Sequence, residues 1–247
     1  MRFILFFSAL LSSASIFADA YSELYTQAGW PQQQTHFANA LQHAQENYKN
    51  TLPNVIYQAL VNNSNKRFAA PAMQARGQHA LRIHLDDPAP ALAFLNSDVG
   101  QKISAAEVQA THPEQLQRYA NGMPAVHADA TRRLLIRHLA NALPASQAGA
   151  EVTLALGSVA ADSLSDMLPG LMGAQQANTL LNSQRQRLIN EIDANIDNTL
   201  LHVYQHLSDA ELEEFVSFAQ SDAGQAYYQA TLKSLQASLS SAAADER

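Results

Sequence analysis

His202 and His206 have the spacing with which one turn of helix presents two ligands to a metal ion. With a metal or a carboxylate partner they would serve a hydrolase. By helical projection the pair lies at the edge of an apolar stripe. Glu191 and Asn195, on the same flank, sit two or three turns away, too far to share an ion. A third ligand has to come from elsewhere in the chain, and two boundary histidines are the simpler reading. Asp193 and Asp197 are also one turn apart, as carboxylates dividing acid and base roles can be, yet no burial signal accompanies them. Arg132, Arg133 and Arg137, and Arg185 with Arg187, could hold an anion, but surface charge accounts for them. No Gly-rich phosphate loop, Gly-x-Ser-x-Gly elbow or His-Glu-x-x-His helix occurs, and the chain has no cysteine, so thiol chemistry is excluded. No cofactor is expected.

A stronger pattern is a phrase written twice. Residues 94–101 read Phe-Leu-Asn-Ser-Asp-Val-Gly-Gln, and residues 218–225 read Phe-Ala-Gln-Ser-Asp-Ala-Gly-Gln. Asp98 with Gln101, and Asp222 with Gln225, have the spacing of a capping box with aspartate at the N-cap. Ser97 and Ser221 are the alternative caps. Phe94 and Phe218 close the incoming helix, and Gly100 and Gly224 permit close approach of a neighbouring helix. The phrase therefore predicts a helix-to-helix corner. Its functional alternative is that two facing corners present Phe94, Ser97, Asp98, Gly100, Gln101, Phe218, Ser221, Asp222, Gly224 and Gln225 to a ligand.

The second copy follows Leu-Ser-Asp-Ala-Glu-Leu-Glu-Glu-Phe, residues 207–215. This run resembles the signature of the exported bacterial family called domain of unknown function 2059, here in two degenerate copies. The likeness covers Ser208 to Gln225 well and Leu92 to Lys102 more loosely. It implies an all-helical periplasmic protein and carries over no catalytic residue. Asp222 stands where the family often has proline. Ala226 stands where it often has lysine, a position Lys102 keeps in the first copy.

The elements that must position these residues are helices. Ala, Leu and Gln dominate, and prolines stand near helix starts. Trp30-Pro31 opens a helix with Phe37, Leu41, Ala44 and Tyr48 on one face. Leu52-Pro53 opens one with Val55, Ile56, Ala59 and Leu60, ahead of a polar loop at Asn62–Asn65. Pro71 and Asp87-Pro88 open two more, and Pro113 to Tyr119 is a short helix stopped by Gly122. In the second series, helices are expected over Pro124–Leu143 and from Pro144 to Leu168, with a break at Pro169-Gly170. One long helix should run from Ala174 to Leu207. Ser208 with Glu211 is a capping box, with Leu207 and Leu212 as its staple. Trp30-Pro31 pairs with Leu143-Pro144, and Thr51–Asn54 with Met167–Gly170, as weaker traces of duplication.

Met1-Arg2, an apolar run from Phe3 to Leu11 and Ala18-Asp19-Ala20 have the order of a Sec-type signal peptide, residues 1–20, cleaved before Tyr21. Without cysteine the chain cannot be a lipoprotein of the usual kind, and no disulfide can brace it. Its formal charge of −7 argues against nucleic acid as a partner. No later run is apolar enough to span a bilayer. The expectation is an all-α, pseudo-symmetric multi-helix bundle of two related halves, 21–122 and 123–247, periplasmic or secreted. A non-enzymatic module binding a protein or a small apolar ligand between its halves is favoured over the hydrolase. A structural homo-oligomer of the envelope is the third reading.

Overall fold

The computed structural model describes residues 12–159 and 174–240, with side chains from Ala20 in the first stretch and from Thr179 in the second. The apolar run at Phe3–Leu11 and the Pro169-Gly170 break lie outside the described residues. Among the described residues the structure is all-helical. The helices are α1 (Ser12–Gln27), α2 (Trp30–Glu46), α3 (Asn54–Arg67), α4 (Ala70–His84), α5 (Ala89–Leu95), α6 (Asp98–Ala110) and α7 (Pro113–Arg118). After an extended stretch come α8 (Ala130–Ala142), α9 (Ala145–Gly157), α10 (Ala174–Asp193), α11 (Ile196–Val203), α12 (Asp209–Gln220) and α13 (Asp222–Leu239). None of them is long and apolar enough to cross a membrane.

Several helix starts follow directly from local chemistry. Pro31 and Pro71 occupy the first turns of α2 and α4, where a missing N–H leaves no hydrogen bond unmade. Asp87 Oδ1 accepts from Ala89 N at 2.9 Å and opens α5. At α12 the capping box is complete: Ser208 Oγ accepts from Glu211 N, and Glu211 Oε2 accepts from Ser208 N at 2.7 Å. Leu207 and Leu212 are both buried beside it.

Four expectations need correction. The helix expected from Pro144 to Leu168 runs from Ala145 and ends at Gly157, a weak helix former, with Ser158 as its C-cap. Asn62–Asn65 is not a loop but the third turn of α3 and beyond, because Ser64 is buried there. Gln45 Nε2 donates to Ser64 Oγ and Asn65 Oδ1, both at 2.8 Å, so Ser64 is an internal partner while Asn62 and Asn65 face solvent from the helix. The expected helix from Pro124 starts only at Ala130, where Asp129 Oδ1 caps Arg132 N. Asn198 holds the preceding stretch extended by accepting from Val126 N and donating to the Pro124 carbonyl. Finally, Ala174–Leu207 is not continuous. It turns at Ala194-Asn195 and ends at Val203, where Arg132 donates to the carbonyls of Tyr204 and Leu207 and pairs with Asp209. Those bonds satisfy carbonyls that a longer helix would have used internally.

The two cores draw on both sides of Gly122. The larger one joins Leu24, Leu81, Phe94 and Ile103 to Ile136, Leu139, Leu200, Leu212 and Phe215. The smaller joins Phe37, Leu60, Phe68 and Met73 to Ala155, Val159 and Leu239. Each fully buried Leu, Ile or Phe contributes about 1.5–3 kcal/mol. In α1 the side chains of Tyr21, Leu24 and Tyr25 are buried.

Helix α13 crosses back to pack on α4. A Cβ on Gly77 would stand 2.4 Å from Ser238 Oγ, so the contact requires glycine or a large shift. Ser234 and Ser238 are buried there and donate to the carbonyls of Gly77 and Met73 at 2.7 and 3.1 Å. Arg67 and Arg76 then donate to the last carbonyls of α13, at Leu239, Ala237 and Ser238.

Candidate functional site

The two copies of the phrase form corners of matching geometry. Ser97 and Ser221 take extended backbone angles of φ −70°, ψ 160° and φ −68°, ψ 157°. Each serine Oγ accepts from the glycine N–H three residues on at 3.0 Å. Each also donates to the carbonyl of the preceding phenylalanine at 2.7 Å. Serine, not aspartate, is therefore the N-cap. Asp98 and Asp222 fall in the first helical turn, where negative charge suits the helix dipole.

The glycines have a more local reason than helix packing. A Cβ on Gly100 would stand 2.0 Å from the Phe94 carbonyl oxygen, and one on Gly224 1.9 Å from that of Phe218. The corner is too tight for any side chain there. The glutamines diverge. Gln101 is exposed and reaches only the Asn96 carbonyl, at 3.2 Å. Gln225 is half-buried and donates to the carbonyls of Ala219 and Ala142, tying α13 to the end of α8.

The two corners meet through their aromatic residues. Phe94 stacks on Phe218 with centroids 3.9 Å and planes 10° apart. Phe215, Tyr204, Tyr227 and Tyr228 extend this into one aromatic seam. A hydrogen bond and ion pair from Lys102 at the start of α6 to Glu211 in the capping box of α12 spans the same seam. These contacts, with that to Ser208, hold the Glu211 carboxyl down to about 2.

Glu107 enters the seam from α6, and sequence reasoning did not single it out. The signal was available: it follows Val99 and Ile103 in steps of four along the buried stripe of α6. Tyr204 Oη donates to Glu107 Oε1 at 2.8 Å. The residue keeps some exposure while its carboxyl end is enclosed. Burial raises the carboxyl to about 7, and the bond from Tyr204 offsets part of that rise. Burial and the nearby carboxyl also push the phenols of Tyr204, Tyr227 and Tyr228 upward.

Beside the second corner, Asn141, Ala142, Gln220 and Gln225 line an open hollow of about 210 Å³. At its edge Gln220 Nε2 lies 3.1 Å from His138 Nδ1. Two residues of the phrase, Gln220 and Gln225, thus face a surface depression.

The other candidate groups are placed separately. His202 Nε2 lies 2.7 Å from the Pro124 carbonyl, and its ring packs against Tyr119. His206 falls in the turn after α11 and is exposed, so the pair does not share a helix face. No group of three or more His, Asp or Glu able to hold a metal ion occurs among the described residues. Asp197 pairs with Arg137 at 2.5 Å, and Asp193 accepts from Ser146 Oγ at 3.2 Å. Arg185 pairs with the buried Glu151 at 2.8 Å. The chain matches no family model, no curated protein and no solved structure.

Proposed function

We propose that this chain is a non-enzymatic interaction module of the periplasm, engaging a partner rich in neutral hydrogen-bonding groups at the hollow beside its second corner. The observation that carries this is the hollow itself, where Gln225 of the repeated phrase stands with Asn141 and Gln220. Side-chain amides both donate and accept, so they suit uncharged polar chains better than ions. An apolar ligand between the halves would have to part Phe94 from Phe218, whereas a partner on the hollow needs no repacking. The amino-terminal pattern supports export, and the likeness of Ser208–Gln225 to the exported family called domain of unknown function 2059 agrees with it.

A photo-crosslinking residue placed at Asn141 in the full chain, expressed in its own envelope, tests the reading. Val55, 76 % exposed, is the control position. An adduct specific to Asn141 and diminished by Gln225→Ala supports the proposal. Identical adducts at both positions, or none at Asn141, reject it. An adduct with a second copy, matched by a dimer in light scattering, identifies the partner as the chain itself.

A further inference from the structure

We propose that Glu107 and Tyr204 form a proton-operated latch between α6 and the turn after α11, closed while Glu107 holds its proton and loosened when it ionises. The latch joins chain segments on opposite sides of Gly122, through a hydrogen bond of 2.8 Å. Among the described residues the hydroxyl of Tyr204 is the one hydrogen-bonding group that compensates ionisation, and burial outweighs it. Tyr204 faces the carboxyl after α11, and Tyr227 and Tyr228 face it from α13, so the titratable groups around it are phenols. On α11, Asp197 pairs with Arg137 and His202 meets the Pro124 carbonyl, and α7 carries Glu114 and Arg118, neither of them bonded to Glu107. Helix α12 sends Glu211 to Lys102 at the opposite end of α6. Helix α2 sends His36 to Thr111, where its ring meets His112 ahead of α7. Helix α5 contributes Phe94 and Leu95.

A charged carboxylate enclosed by aromatic rings without a cation is strongly disfavoured. Glu107 is partly exposed as a residue, so a small displacement brings its carboxylate to water. That displacement breaks its bond to Tyr204 and removes it from Tyr227 and Tyr228. The proton leaves to solvent, and no other group has to change its state.

Hydrogen exchange of the full chain at pH 5 and pH 8, expressed as protection factors, tests the latch, with α3 as the internal reference. Protection in α6 and α11 should fall at pH 8 and stay unchanged in α3. Between pH 5 and pH 8 a carboxyl displaced from 4.5 to about 7 limits the fall to about 70-fold. Glu107→Gln keeps an acceptor for Tyr204 and cannot ionise, so its protection should be equal at both pH values. Equal protection in the unaltered chain overturns the proposal. So does a pH dependence that survives in Glu107→Gln, which would assign it to His36 and His112. A carbon-13 titration of the Glu107 carboxyl in the unaltered chain should have its midpoint near 7, and a midpoint near 4.5 would equally end the idea.

Discussion

Phe94 lies flat against Phe218, its centroid 3.9 Å away, so the opening residues of the two phrases are each other's neighbours. Residues 124 apart in sequence stack because each ends a helix just before a serine-capped corner. Truncating either ring should destabilise the protein by about 2–4 kcal/mol, since Phe94 is buried and Phe218 only partly so. A double-mutant cycle with Phe94→Ala and Phe218→Ala should give a coupling of about 1 kcal/mol. Strict additivity in urea denaturation would mean that the stack has no energy of its own.

Gly100→Ala and Gly224→Ala should each lose on the order of 3 kcal/mol, because the added carbon would overlap a backbone carbonyl that cannot swing aside. Gly157→Ala is the opposite case. Its added carbon meets nothing within 4 Å, so the gain in helix propensity should stabilise by up to about 1 kcal/mol. Thermal melts of the three variants should therefore move in two directions. A common downward shift would contradict the corner geometry.

Ser221→Ala should be worse than Asp222→Ala. The serine hydroxyl makes two corner bonds and its loss costs about 1 kcal/mol, whereas the aspartate contributes only a dipole interaction of about 0.3–1 kcal/mol. Moderate salt should shrink the aspartate effect and leave the serine effect in place. The reverse ranking in chemical denaturation would restore aspartate as the cap.

Global stability should fall as pH rises from about 4.5 to about 7, and then level off with respect to Glu107. The native carboxyl holds its proton through that window while the unfolded one has released it. Folding is therefore favoured most below the lower value. The full difference is on the order of 3 kcal/mol. Glu107→Gln should be as stable as the unaltered chain at pH 4 and more stable at pH 8. Loss of stability at pH 8 on that substitution would contradict the enclosure of this carboxyl.

Much of this molecule was legible beforehand for a physical reason: caps and proline starts are local, and they read the same in any context. Ser208 with Glu211, Pro31 at α2 and Pro71 at α4 all acted as local chemistry dictates. What escaped were polar residues whose partners lie far along the chain. Asn62–Asn65 looked like a loop because Gln45, the partner of Ser64 and Asn65, belongs to another helix. The end of α11 is set by Arg132, which stands 72 residues from the nearer carbonyl it binds. Glu107 continues the Val99–Ile103 stripe, but its partner Tyr204 lies 97 residues away, beyond the reach of a local pattern. In the phrase, the choice between Ser and Asp as cap was undecidable from spacing alone, since adjacent residues both suit the role.

Helix α13 supplies Ser234 and Ser238 to α4 and rests its last carbonyls on Arg67 and Arg76. The surface of α4 thus waits for a helix whose Ser234 lies 157 residues beyond Gly77 before it is closed. A nascent or truncated chain ending before Leu239 would leave the Gly77 face of α4 open to proteases and to wrong neighbours. Sealing of this face is therefore a late step in folding, since it waits on contacts of long sequence separation.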